Sequence, residues 1–467
     1  MNMASSTIAA IATPLGSGGI GIVRVTGEAA ADILATVFQH KGKRSDESAQ
    51  LRTAGFVSHR MYFGNIIDPR DSSFIDEVLV VLMKAPHSYT TEDVVEIQTH
   101  AGYVVLKRVL ALVLAQGARL AEPGEFTRRA FLNGRIDLTQ AEAVADVINA
   151  KTGMSLAIAG GQLKGMLGKE IGIVRDHLLM RLAEIEADID FAEDVDEPLD
   201  PDRMAEEIKI GALQPLERLI MGYENRRFFR DGLKMAIVGR PNVGKSSLLN
   251  RMIRRERAIV TEIPGTTRDS IEEMIDIDGL PVMIIDTAGL HETSQAIERL
   301  GIERTLAALE EADLVLFVID LSQGVTKADR DIYGKIGDKR CILVQNKNDL
   351  KEDTPLPNEW RGIHNVSVSA LEGTNIDKLR RAIYDIGVSD AGTWKEASLV
   401  PNLRQADALK KCCRFAKSAQ KTIAKGGEMD FAALDLKASI ERLDEILGLN
   451  CKEDMLDTIF SRFCVGK

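Results

Sequence analysis

One stretch constrains the fold of this chain more than any other. The eight residues from Gly239 to Ser246 read GRPNVGKS and match the phosphate-loop pattern G-x-x-x-x-G-K-[ST]. A short apolar run at 235–238 precedes them, and residues 247–253 have the pattern of a helix. In that context the glycines let the backbone wrap phosphates, Lys245 faces the outer phosphates and Ser246 offers its hydroxyl to Mg²⁺. The chain is therefore expected to bind a nucleotide in an α/β fold.

Composition limits the alternatives. The 467 residues allow about three domains, and a hydrophobic content of 45% supports sizeable cores. A net charge of −11 argues against a chain that coats nucleic acid through bulk charge. Five unevenly spaced cysteines predict neither a disulfide framework nor a zinc site. Nothing near the first residue resembles a signal peptide and no apolar run could span a bilayer, so we expect a cytoplasmic protein without membrane contact.

Residues 1–121 have the mixed pattern of an α+β domain. We expect strands at 7–12, 20–25, 78–82 and 94–98, and helices at 28–39 and 102–116. A glycine-rich turn at 16–21 fits G-x-G-x-x-G, but a strand and not a helix follows it. A dinucleotide site needs a helix N-terminus at that point, so we reject one here.

The rest of the chain predicts an α/β domain inserted in an all-α domain. Residues 122–231 and 389–467 are helical in pattern, whereas strands and helices alternate over 232–388. That alternation predicts a parallel sheet with helices on both faces. An acidic cluster between 193 and 202 is expected to be a solvated surface.

Two segments after the phosphate loop have the residues needed around a nucleotide γ-phosphate. Thr267 can complete the Mg²⁺ shell with Ser246, Asp286 can reach the water shell of the metal, and the amide of Gly289 can sense the γ-phosphate. Each segment follows a predicted strand or loop of the α/β domain in the expected order. The pattern predicts a triphosphate-dependent switch.

Two later segments select the base. The Asp349 carboxylate, in the sequence NKND, can accept the N1 and N2 protons of guanine, which adenine lacks. Ser369 and Ala370 follow a further strand and can cover the base edge. The sequence thus predicts a GTP site, whose residues are Asn242, Val243, Gly244, Lys245, Ser246, Ser247, Thr261, Thr266, Thr267, Asp286, Thr287, Ala288, Gly289, Asn346, Lys347, Asp349, Ser369 and Ala370.

The usual water-orienting group is missing from this site. Leu290 occupies the position at which Ras-like proteins have a glutamine, and an apolar side chain cannot align water. Glu298 is a candidate carboxylate for hydrolysis, although position alone favours a solvated helix residue.

Three features together resemble a known family. These are the embedded GTPase unit, the segment 88–93 (SYTTED) and the terminal FCVGK. The chain resembles the MnmE (TrmE) family of tRNA-modification GTPases over its whole length. The resemblance implies a homodimer formed by the N-terminal domains, which bind a 5-formyltetrahydrofolate-type one-carbon donor. It assigns the folate contacts to Arg24, Glu96, Arg135 and Lys467.

The resemblance also implies how hydrolysis proceeds without the glutamine. The GTPase domains of the family pair across the nucleotide and bind K⁺ beside the phosphates, where it offsets charge developing in the transition state. The ligands would be the side chain of Asn242 and backbone oxygens of Thr261, Ile263 and Thr266. Glu298 matches the catalytic glutamate of the family.

The implied reaction adds an aminomethyl-type (carboxymethylaminomethyl) group to C5 of the wobble uridine, position 34, of certain tRNAs. The implied partner is MnmG (GidA), in a heterotetramer or larger complex, and FAD and NADH would bind that partner. Cys464 is a second catalytic candidate, because a thiol can add to C6 of uracil; a structural tail contact is an equal alternative. The other cysteines are expected to be structural, in strands or helices: Cys341, Cys412, Cys413 and Cys451.

Two basic clusters are candidates for tRNA contact, although solvated faces are the commoner role of such clusters. They are Lys410, Lys411, Arg414, Lys417, Lys421 and Lys425 on one helix, and Arg251, Arg254, Arg255 and Arg257 after the phosphate loop. The competing functions are a ribosome-assembly GTPase that binds rRNA and a scaffold with a vestigial GTPase. Intact Lys245, Ser246 and Asp349 argue against the scaffold.

Overall fold

The computed structural model describes residues 6–16, 18–41, 55–190, 199–255, 273–285, 307–350, 356–388 and 399–467, without the side chains of 254 and 255. The chain divides into two compact units. The first comprises Met1–Ala145, Leu163–Asp176 and Ile440–Lys467, and the second Asp146–Gln162 and His177–Ser439. The domain boundaries expected at 121, 231 and 388 stay a prediction.

A seven-stranded sheet forms the frame of the first unit. Its strands are β1 (Ile8–Ile11), β2 (Gly18–Thr26), β3 (Phe38–His40), β4 (Met61–Ile67), β5 (Phe74–Met83), β6 (Val94–Ala101) and β7 (Arg119–Leu120). They lie in the order β3-β4-β5-β6-β2-β1-β7, antiparallel throughout except for the parallel pair β1 and β7. Strands β3, β4 and β7 were not expected from the sequence. Strand β4 reads MYFGNII, with apolar side chains on both faces, so the alternation that marks a strand is absent.

The glycine-rich segment was expected to be a turn, and that expectation is wrong for its second half. Strand β2 begins at Gly18. A Cβ atom at Gly21 would lie 2.8 Å from the Leu106 side chain, so glycine lets this strand pass close to a helix. That helix is α2 (Tyr103–Ala115), which covers one face of the sheet together with α1 (Ala30–Val37). Their buried faces explain the apolar run near residue 110.

Helices dominate the segment before the phosphate loop, as expected. They are α3 (Glu125–Leu132), α4 (Leu138–Asn149), α5 (Gly153–Leu163), α6 (Met166–Asp190), α7 (Pro201–Ile208) and α8 (Gln214–Asp231), with a π-helical turn at Lys209–Leu213 between the last two. Asp200 caps α7 by accepting hydrogen bonds from the amides of Asp202 and Arg203, and proline follows at the first helical position.

A six-stranded sheet with helices on both faces forms the frame of the second unit. Its elements are β8 (Leu233–Val238), α9 (Lys245–Arg255), β9 (Glu273–Ile277), β10 (Leu280–Ile285), β11 (Leu314–Asp320), α10 (Lys327–Ile336), β12 (Cys341–Asn346), β13 (His364–Ser367) and α11 (Ile376–Gly387). The strand order is β13-β12-β11-β8-β10-β9. Separate apolar cores lie on its two faces.

The expectation of a parallel sheet is wrong at one edge. Strand β9 runs antiparallel to β10, whereas the other neighbours are parallel. The two strands are joined at Asp278 and Gly279, which both have positive φ, 53° and 91°. Asp-Gly is a strong signal for a two-residue hairpin turn, so the sequence contained the information that the alternation argument overlooked.

Three helices close the chain: α12 (Leu403–Ala424), α13 (Met429–Leu447) and α14 (Glu453–Phe460). Helix α14 lies within the segment 389–467 that was expected to be helical, although its bounds were not given. Its apolar residues Leu456, Ile459 and Phe460 pack on Leu138 and Ala141 of α4 within the first unit. A short helix of eight residues gives little periodic signal, so packing and not local sequence defines it.

Candidate functional site

The phosphate loop lies between β8 and α9, as predicted. Its glycines are required by neighbours: a Cβ on Gly239 would meet the carbonyl of Val318, and one on Gly244 would meet the side-chain amide of Asn346. Both residues also have positive φ, 155° and 96°. Asn242 has a φ of 62° and is exposed. The loop therefore follows the narrow path that exposes backbone amides at a helix start.

Hydrogen bonds hold the Lys245 side chain against the phosphate loop. Its Nζ donates to the carbonyl oxygens of Gly239, over 2.7 Å, and of Arg240, over 2.8 Å. Burial lowers the pKa of this ammonium group below its ordinary value. Ser246 is the second residue of α9, and its predicted role as an oxygen ligand of Mg²⁺ stays a prediction.

Asn346 joins the phosphate side of the site to the base side. Its Nδ2 donates to the carbonyl of Val243 over 2.8 Å, and its Oδ1 accepts from the amide of Ala370 over 3.0 Å. The side chain is buried at the end of β12. Two predicted motifs that lie 24 residues apart are thus brought together by one amide group.

Lys347 and Asp349 flank the base side. Lys347 has a φ of 65°, and its Nζ donates to Oδ2 of buried Asp320 over 2.6 Å. Burial raises the pKa of Asp320, but hydrogen bonds from Lys347 and Ser322 outweigh it and hold that pKa below its ordinary value. Asp349 is exposed, where a base could reach its carboxylate. Sequence reasoning did not identify Asp320.

Several predicted residues lie outside the described part of the chain, and their roles stay predictions. They are Thr261, Ile263, Thr266, Thr267, Asp286, Thr287, Ala288, Gly289 and Glu298. The acidic cluster also falls mostly outside it.

A second cluster lies on the seven-stranded sheet of the first unit. Arg24 of β2 stands opposite Glu96 of β6 and donates to Oε1 of Glu96 from Nε over 3.0 Å and from Nη2 over 2.8 Å. Its Nη1 donates to the carbonyl of Gly466 over 3.2 Å. The guanidinium group lies 5.7 Å from the ring centre of Phe126 and 5.9 Å from that of Tyr89. One arginine therefore links the sheet to the last residues of the chain.

The C-terminal tail is docked by backbone hydrogen bonds. The amide of Phe126 donates to the carbonyl of Lys467 over 3.2 Å, and Pro123 and Val465 form an antiparallel bridge. Gly466 has a φ of 94°, and a Cβ atom there would clash with the backbone at Ile11. Cys464 is exposed in this tail.

Arg135 reaches the same neighbourhood from the end of α3. Its Nη1 donates to the carbonyl of Tyr89 over 2.9 Å, and its guanidinium lies 4.8 Å from the centre of the Tyr89 ring. The Tyr89 hydroxyl hydrogen-bonds the Thr127 hydroxyl over 2.9 Å. The structure thus gathers Arg24, Glu96, Arg135 and the tail around two aromatic rings.

A buried ion-pair network supports this cluster, and sequence reasoning missed it. Arg129 pairs with Glu92 and with Glu125, each at 3.0 Å, and Glu125 also pairs with Arg119. Hydrogen bonds from Arg119 and Arg129 outweigh the effect of burial and keep the pKa of Glu125 low. Arg119, Glu125 and Arg129 are close in sequence, but Glu92 lies 37 residues from Arg129, so no local motif marks the whole network.

The other four cysteines are buried or partly buried. Burial raises the pKa of Cys341 to about 12 and that of Cys412 to about 12, and it also raises the pKa of Cys413. Cys451 lies in the loop before α14, which corrects its expected place in a strand or helix.

Three lysines of α12 form ion pairs with carboxylates, as expected of a solvated face: Lys410 with Glu224, Lys411 with Asp407 and Lys417 with Glu217. No helix in the described ranges is long and apolar enough to cross a membrane.

A phosphate loop on a mainly parallel sheet, with Asn346 joining it to the loop at Ala370, defines a P-loop GTPase, an enzyme that hydrolyses GTP. Family comparisons refine this class. The MnmE helical domain model matches residues 138–464, and the GTP-binding protein TrmE N-terminus model matches residues 7–135. The chain belongs to the MnmE family.

Full-length relatives agree with that assignment. Proteins called tRNA modification GTPase MnmE are 46% identical in Moorella thermoacetica, over 474 residues and 100% of both chains, and 45% identical in Geotalea uraniireducens, over 462 residues and 99% of both chains. Among solved structures, Era of Aquifex aeolicus bound to GDP.AlF4- is 30% identical and covers 39% of this chain and 66% of its own, with a TM-score of 0.27. The fold class expected from the sequence is confirmed.

Proposed function

We propose that this protein hydrolyses GTP with the help of K⁺ and couples that reaction to modification of the wobble uridine of tRNA. The observation that carries the proposal is full-length membership in a family whose curated members are called tRNA modification GTPases. The same membership favours this function over assembly of ribosomes. The experiment is nucleoside analysis of tRNA from cells that lack the protein. Loss of the C5-modified uridine at position 34 supports the proposal, and an unchanged nucleoside profile refutes it.

The exposed Asn242 supports a K⁺ site. Asn242 lies in the phosphate loop, has a φ of 62° and is exposed, so its side-chain oxygen is accessible to an ion. With backbone oxygens of Thr261, Ile263 and Thr266 it would complete an all-oxygen set suited to an alkali ion. Bound there, K⁺ supplies positive charge for the transition state, and Glu298 would orient the attacking water. Ser246 and Thr267 would hold Mg²⁺.

The cluster around Tyr89 supports a folate-type donor site. The guanidinium of Arg24 lies near the rings of Phe126 and Tyr89, and that of Arg135 near the ring of Tyr89, a combination suited to an aromatic ring system that carries carboxylates. Lys467, in the docked tail, would add a third positive charge. Arg24 is already paired with Glu96 and bound to Gly466, so it would both hold the tail and face the ligand. Cys464 belongs to the same docked tail, where its carbonyl accepts a hydrogen bond from the Gly124 amide over 3.5 Å, and a thiol active on uracil would be needed beside the donor.

An exposed apolar sheet face supports a homodimer. Strands β4 and β5 pair Met61 with Val81 and Phe63 with Leu79 on the face opposite the core. Phe63 is 44% exposed and Leu79 is 39% exposed, whereas the adjacent residues of each strand point to the other face and are buried. A second copy of the same sheet would cover these side chains and leave the donor cluster at its border. MnmG, carrying FAD and NADH, would join this dimer with tRNA.

A further inference from the structure

Arg251 contacts the base-recognition loop and not the surface expected for it. It lies in α9, the helix whose first turn holds the phosphate loop, and the sequence analysis placed it in a basic cluster for tRNA. In the structure its Nε donates to the carbonyl of Ala370 over 3.2 Å, and its Nη2 donates to the carbonyl of Leu371. Two successive carbonyl groups are therefore bound by one guanidinium fork.

Besides Arg251, local hydrogen bonds and one contact with Asn346 hold this loop. The amide of Gly373 donates to the carbonyl of Ser369 over 2.8 Å, and the amide of Glu372 donates to the Ser369 hydroxyl over 3.1 Å. The backbone of Ala370 is hydrogen-bonded on both sides, since its amide donates to Asn346 and its carbonyl accepts from Arg251. Arg251 connects this loop to α9.

Gly373 lies directly beside the Arg251 guanidinium. It has a φ of 86°, and a Cβ atom there would lie 3.3 Å from the guanidinium carbon of Arg251. A larger residue would crowd the guanidinium and require a shift of a few tenths of an ångström. Arg251 therefore packs directly against the turn at Gly373.

We propose that Arg251 is a positioning residue for guanine recognition. The proposal rests on the assignment of Ser369 and Ala370 to the base edge. Charged hydrogen bonds to the Ala370 and Leu371 carbonyls fix the base loop against the helix that begins in the phosphate loop. The base and phosphate ends of the site are thereby held at one separation. Arg251 does not touch the phosphates, so it acts on nucleotide affinity and base preference and not on the hydrolytic step.

The test uses the full chain with Arg251→Ala, Arg251→Gln and Arg251→Lys. We expect Ala and Gln to weaken GDP binding roughly tenfold and to speed GDP release, with kcat at saturating GTP nearly unchanged. The preference for GTP over ITP, which lacks the 2-amino group, should fall in both variants. Lysine should restore part of the affinity, because its ammonium can reach one carbonyl. Arg361→Ala is the charge-matched control, since that arginine is exposed.

Asp349→Asn separates this proposal from the base-site assignment. If Asp349→Asn changes base preference and Arg251→Ala does not, the base site stands and the role of Arg251 is overturned. If neither changes it, the base site itself is wrong. Equal losses of kcat and affinity with a lowered melting temperature would make Arg251 merely structural. Unchanged GDP binding with weakened tRNA binding would show that Arg251 belongs to an RNA-binding surface. This outcome and the purely structural one each overturn the proposal.

Discussion

The side-chain amide of Asn346 connects to the carbonyl of Val243 over 2.8 Å, across 103 residues of sequence. This single contact holds the phosphate loop against the end of β12. Because the other end of the same amide accepts from Ala370, the two halves of the nucleotide site depend on one buried group. The site is therefore a connected unit, and its parts should fail together.

Replacing Asn346 by alanine should damage both halves of the site. The change leaves the Val243 carbonyl and the Ala370 amide without this partner, at a cost of about 1–3 kcal/mol for buried polar groups. We expect a lower melting temperature and a large loss of GDP affinity, measured by calorimetry and by fluorescent-nucleotide titration. Asn365→Ala, at an exposed asparagine of β13, is the control. Wild-type GDP affinity in Asn346→Ala would disprove the connection.

The tail glycine should be needed for the donor cluster. In Gly466→Ala the new methyl group meets the backbone at Ile11 at a positive φ, a strain on the order of 1–3 kcal/mol. We expect weaker binding of 5-formyltetrahydrofolate by isothermal titration calorimetry. Gly426→Ala is matched to it, because Gly426 also has a positive φ, 66°, but nothing lies within 4 Å of its Cβ position. Equal folate affinity in the two variants would show that the tail takes no part in the site.

The exposed sheet face should govern self-association. Phe63→Glu combined with Leu79→Glu places two like charges on the proposed dimer face, so the protein should become monomeric in light-scattering measurements. Val104→Glu is the control: it adds a charge at an apolar residue of α2 that is 67% exposed, and the particle mass from light scattering should stay that of the wild type. A double variant that keeps the mass of the wild type would refute this dimer surface.

Thiol reactivity should single out Cys464. Burial raises the pKa of Cys341 and of Cys412 to about 12, so little thiolate forms there near neutral pH. Cys464 is exposed, and we expect it to react fastest with a disulfide reagent in the native protein. Cys464→Ser should remove the fast phase, and a fast phase that persisted would assign the accessible thiol elsewhere.

Local motifs of the site were readable from sequence, but its connections were not. The phosphate loop and the NKND segment are short patterns whose chemistry is set by adjacent residues, so their positions followed from the chain alone. The roles of Arg251, Asp320 and Arg129 depend on partners from other elements, and no spacing in the sequence marks them. The antiparallel strand β9 shows the intermediate case, because its Asp-Gly turn was visible but the alternation of strands and helices outweighed it.

The proposed alkali-ion mechanism should depend on Asn242. Replacing it by alanine removes a side-chain oxygen from an exposed position of the phosphate loop and leaves Lys245 in place. We expect Asn242→Ala to bind GDP with nearly normal affinity while losing most of the K⁺ stimulation. A variant that kept full stimulation would remove Asn242 from the ion site.

The most direct measurement is the steady-state rate of GTP hydrolysis by the wild-type protein in KCl and in NaCl at equal ionic strength. We predict a rate roughly tenfold to a hundredfold higher in KCl, because the proposed ion would offset charge that develops on the phosphates. Equal rates in the two salts would contradict it.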